Sequence, residues 1–125
     1  MADITLTRDE RRTLSVLAFL FFRMGLEERA GRIYEALEEL SEPESSDWRF
    51  AKAGQAAVAV EKGDGEAALA AVNAALKSGA LSSKEATLHL IKAQALWLQG
   101  RKAEAEQARN QFLHLAGNRM KDDAR

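Results

Sequence analysis

The stretch Ala18-Phe19-Leu20-Phe21-Phe22-Arg23-Met24-Gly25-Leu26-Glu27-Glu28-Arg29-Ala30 decides how this 125-residue chain folds. Its skeleton is an alanine, a glycine seven residues on and an alanine five further. The same skeleton returns as Ala56, Gly63, Ala68 and again as Ala93, Gly100, Ala105. Glycine enters the left-handed backbone region without a Cβ penalty, so it ends one helix and turns the chain into the next. The flanking alanines fall where the two helices of a pair cross, and a methyl side chain lets the backbones approach. Three occurrences without a slip, at periods of 38 and 37 residues, describe three helix pairs rather than an alanine-rich bundle of six unrelated helices.

Working outward, Thr7 and Glu10 form a capping box that opens the first helix, which runs to about Met24. Ala30, Ile33, Tyr34, Leu37 and Leu40 mark an amphipathic second helix, about 27–40. Ser41 to Asp47, with the chain's single proline Pro43, reads as a loop. A third helix is expected over about 48–61, a fourth over 66–77, a fifth opened by a Ser82/Glu85 capping box, and a sixth over about 102–115 ended by Gly117. The helix pairs then occupy about 8–40, 47–77 and 83–116 of a single domain spanning 1–125. Asn118 to Arg125 is too polar to be held down, and fraying is expected there.

Units of two helices with small residues at the crossing, a glycine turn and a period in the thirties resemble tetratricopeptide repeats. The fold class this implies is all-α, a tetratricopeptide-like right-handed superhelix of three helix-turn-helix repeats. Leu14, Leu17, Phe21, Tyr34 and Leu37 stand where that pattern wants bulk, and the second pair is thinned to alanine. Arg109 departs from it by standing where the second helix of a unit carries an aromatic.

The remaining composition excludes more than it suggests. Eighteen Lys and Arg against nineteen Asp and Glu leave a net charge of −1, so no global field favours nucleic acid. Without cysteine there is neither a disulfide framework nor a thiolate metal site. Met1-Ala2-Asp3 does not start an export signal, and Val16 to Phe22 is far short of a membrane span, so the expected location is the cytoplasm. His89 and His114 have no carboxylate at ligand spacing, and Gly63-Asp64-Gly65 lacks the residues of a phosphate or calcium loop. No enzyme motif, catalytic residue, metal site or cofactor is expected.

The informative surface is the one formed by the first helix of each unit. Repeat register projects Phe19 and Phe22, then Phe50, Ala53 and Ala57, then Leu90, Gln94 and Trp97 onto the concave side as an apolar trough. Phe19-Leu20-Phe21-Phe22 makes the first helix apolar around its circumference, more than its own partner helix can cover. A trough of this kind suits an extended segment or an amphipathic helix of another protein, with Gln94, Arg23 and Glu61 as polar rims. Burial of these aromatics as core, or self-association of the free chain as a homodimer, are the other readings.

Ile4-Thr5-Leu6-Thr7 leading into a charged helix start, then Gly25 and Glu28-Arg29-Ala30, resembles the small tetratricopeptide chaperones of bacterial type III secretion, most of all the YscY-type chaperone. The resemblance implies a cytoplasmic chaperone that holds a small secreted YscX-like subunit and brings it to the export gate protein. It implies no catalytic residue. Chaperones of translocator or needle proteins share the architecture, and a general repeat adaptor docking a folded partner on its convex face is the reading from another class.

Overall fold

The computed structural model describes residues 6–78 and 86–123. Within them the chain forms α1 (Arg8–Arg23), α2 (Glu27–Leu40), α3 (Ser46–Glu61), α4 (Gly65–Leu76), α5 (Thr87–Leu98) and α6 (Lys102–Asp123). No strand occurs among the described residues.

Each helix pair turns in the same way. Gly25, Gly63 and Gly100 sit at φ of 79°, 76° and 74°, where a Cβ would be strained. The residue after each glycine donates back across the turn: Leu26 N–H to Phe21 O at 2.9 Å, Asp64 to Ala59 at 2.8 Å, Arg101 to Leu96 at 2.9 Å. With the glycine N–H bonds to Phe22, Val60 and Trp97, this is one Schellman closure used three times. At the other helix ends, Thr7 and Glu10 form the expected capping box, Ser45 Oγ accepts from Trp48 N–H, and the Asp64 carboxylate accepts from Ala67 N–H at 3.0 Å.

Those caps move several boundaries. Because Ser45 caps α3, the loop expected to reach Asp47 ends two residues earlier. Asp64 likewise starts α4 at Gly65. The Ser82/Glu85 capping box lies outside the described residues, and α5 is described from Thr87. The sixth helix does not end at Gly117: α6 continues to Asp123, so a polar tail beginning at Asn118 is corrected to a last helical stretch. Gly117 is not in the left-handed region, and an interior helical glycine costs only about 1 kcal/mol relative to alanine.

Consecutive helices pack in sequence, and α1, α3 and α5 also touch one another in succession, whereas α2, α4 and α6 make no comparable contacts with each other. The first helices of the units therefore form the inner layer and the second helices splay outside it. Ala18, Ala30, Ala56 and Ala68 are fully buried, as their place at the crossings requires. Arg11 on α1 reaches Asp47 on α3 at 2.8 Å, and Lys62 at the end of α3 reaches Glu28 on α2 at 2.7 Å. Burial pushes the Glu38 carboxyl up, but hydrogen bonds from Lys52 and Gln55 of α3 together reverse it and hold it below the usual carboxylate range.

The alanine-thinned second unit has a structural explanation. The Tyr34 ring of α2 lies on Gly54 of α3, where a Cβ would come within 2.2 Å of it. One unit later the corresponding positions are Val72 and Ile91, both in one buried cluster with Ala56, Ala75 and Leu88. A large ring on a bare backbone in one interface becomes two medium aliphatics in the next. The same register is filled by one large ring in the first interface and by two side chains of similar size in the second.

Gly54→Ala should therefore lower unfolding free energy by about 1–3 kcal/mol through overpacking, and adding Tyr34→Val should recover part of that loss. Chemical denaturation of the two singles and the double checks this, since strict additivity would show that the ring and the glycine do not share the space.

Candidate functional site

The residues expected to line a trough are placed in two groups. Leu90, Gln94 and Trp97 of α5 come together in an open groove of about 400 Å³. Its other walls are Val60 of α3, Ala93 and Leu98 of α5, and Ala105, Glu106 and Arg109 of α6. Phe19, Phe22, Phe50, Ala53 and Ala57 are not part of it. Phe19 and Phe50 are exposed, at 50% and 40%, and Phe50 packs its ring against Tyr34 with centroids 5.9 Å apart. Phe22 is half-buried against Ala18, Ala30, Tyr34 and Val58. Ala53 and Ala57 are half-buried against the Val72 and Ile91 cluster.

The groove lies at the crossing of the third helix pair, the last among the described residues. Ala93 and Ala105 are the crossing alanines of the third unit, equivalent to Ala56 and Ala68 of the second. In the second unit the following helix pair covers this crossing. No further pair follows α6 among the described residues, so Ala93 is half-exposed and the space beside it stays open. Arg109 occupies the register of Tyr34 and Val72, whose side chains are buried against the next unit. Here that position faces solvent, which suits a guanidinium.

Trp97 is the most prominent group in the groove. It is 60% exposed, and Lys102 Nζ stands 5.5 Å from its ring centroid. An ammonium at that distance is attracted to the ring's electron-rich face, worth about 0.5–1 kcal/mol at an exposed site. Leu98, 45% exposed, extends the apolar surface. Glu106, Arg109 and Gln94 supply the polar rim. Val60, Leu98, Glu106 and Arg109 were not singled out by sequence reasoning as groove residues. The signal that finds them is the pair Ala93 and Ala105, a crossing that no further helix pair covers among the described residues.

Among the described residues no three of His, Asp and Glu gather as a metal-holding group. No helix among them is long and apolar enough to cross a membrane. No protein-family model and no curated protein sequence matches the chain. What the groove can do is receive an apolar side chain and hold the backbone around it by hydrogen bonds at the rim.

His89 lies on α5 beside Lys92, facing Glu104, Gln107 and Gln111 of α6 across a polar recess of about 220 Å³. Burial first, and then the Lys92 charge, hold its imidazole below the ordinary 6.5. The unfolded chain therefore takes up this proton at higher pH than the folded chain does. Stability from this group is complete above pH 6.5 and declines as pH falls below it. The melting temperature should be lower at about pH 5.5 than at pH 7.5, and His89→Gln should flatten that interval. A wild-type curve already flat there would show that burial does not disfavour the imidazolium.

Proposed function

We propose that this chain is a non-catalytic holder of an apolar protein segment, a chaperone of the type III secretion kind working in the cytoplasm. Its client is a small secreted subunit, YscX-like in the sense of the resemblance carried by Ile4-Thr5-Leu6-Thr7 and Gly25 to Ala30, which it brings to the export gate. The observation that carries the reading is the open, mainly apolar groove around Trp97. A tryptophan left in water beside Leu90, Leu98 and Val60 is a ready anchor site, because burying such a ring is among the strongest single contributions to a protein interface. Phe19 and Phe50, exposed on the inner-layer helices, extend apolar contact along the same layer for a longer segment.

The mechanism is capture by exclusion of water. An apolar side chain of the client enters between α5 and α6 and packs on Trp97. Gln94, Glu106 and Arg109 hydrogen-bond the client's backbone around it and set its register. The client segment is then kept from self-association until its transfer, and no covalent step is involved.

Affinity capture from the native host, followed by mass spectrometry, tests the client class. A small secreted subunit is expected; a translocator, a needle protein or a folded regulator would each replace the YscX-like assignment. Trp97→Asp should weaken client binding by about thirtyfold or more, the loss of one central anchor, while the far-ultraviolet helical signal stays intact. Undiminished binding by that variant would remove the groove from the interface. Phe22→Asp, by contrast, should reduce stability itself, because that ring supports the Ala18 and Tyr34 cluster.

A further inference from the structure

We propose that the outer face of α1 is a self-association surface, on which two copies of this chain pair their α1 helices antiparallel about Val16. Repeat register supplies the first observation. The positions of Thr13, Val16 and Leu20 correspond to Ala51, Gly54 and Val58 of α3 and to Leu88, Ile91 and Ala95 of α5. All six of those internal residues are buried, because the preceding unit lies on them. In α1 the same three positions are exposed, Val16 at 52% and Leu20 at 49%, and with Leu17 they line an open groove of about 450 Å³. The face is built as a helix-packing surface and has no helix of its own chain on it among the described residues.

The sequence along that face selects the occupant. Asp9, Thr13, Val16, Leu20 and Arg23 follow one another at spacings of four, three, four and three, the seam of a two-helix packing. The seam begins with an acid and ends with a base. Antiparallel pairing about Val16 sets Val16 against its own copy, Leu20 beside Arg12 and Thr13 of the partner subunit, and Asp9 opposite Arg23 of the partner subunit. Two symmetric ion pairs thus close the ends of an apolar centre, and the helix dipoles oppose one another favourably. Head-to-tail stacking is disfavoured, since it would press the exposed Arg109 of α6 into the apolar slot and strip its water. The groove around Trp97 shares no residue with this face, so pairing leaves it accessible.

Sedimentation of the full chain over a concentration series tests the pairing. The wild type should form a dimer, Leu20→Asp should sediment as a monomer with its helical signal unchanged, and Trp97→Asp should dimerise normally. Asp9→Arg should weaken the dimer roughly tenfold, the scale of two exposed ion pairs lost and made repulsive, and Asp9→Arg with Arg23→Asp should restore it. A wild type monomeric into the high-micromolar range overturns the proposal and leaves the face to a helix of another protein. So does a dimer indifferent to Leu20→Asp, and a reciprocal charge exchange that fails to restore association overturns the antiparallel register.

Discussion

Close approach of helix backbones is the constraint on which the molecule depends. Where α1 crosses α2 and α3 crosses α4 stand the alanines Ala18, Ala30, Ala56 and Ala68, all fully buried. A helix pair with so little between its members has a short, stiff turn, and the left-handed glycines with their repeated closure provide it. Each pair then offers the next a surface whose shape is already set. The interfaces differ in how they fill the space, a tyrosine over a bare glycine in one and valine against isoleucine in the next.

A linear stack also makes the two ends chemically distinct from the middle. Internal units bury a leading face and a trailing face, while terminal units leave one of each exposed. The first and the last of the described helices differ in that exposure. At α6 the trailing position carries Arg109, a side chain content in water, and an apolar hollow survives only beside Trp97. At α1 the leading face keeps Val16, Leu17 and Leu20 in the open, with Asp9 and Arg12 lining the same groove toward the start of the helix. The two grooves lie on different elements and share no lining residue.

Much of the architecture was legible in the residues. Glycine turns, the Thr7 capping box and the bounds of α2 follow from local rules that act over a few residues. Boundaries set by less obvious caps were not: Ser45 caps α3 so that it starts at Ser46 rather than at about Trp48, and Gly117 passes through a helix rather than ending it. The trough was legible in part. Leu90, Gln94 and Trp97 converge as their register required, yet Phe22 serves the core and Phe19 and Phe50 stand apart from the groove.

The sequence by itself determined the three helix pairs, because small residues and glycines at matched positions leave few other ways to cross and turn. Only the tertiary structure decided which apolar side chains remain outside. Val16, Gly54 and Ile91 share one register, and nothing local distinguishes them. Exposure depends on whether another unit lies alongside, which is a property of the stack.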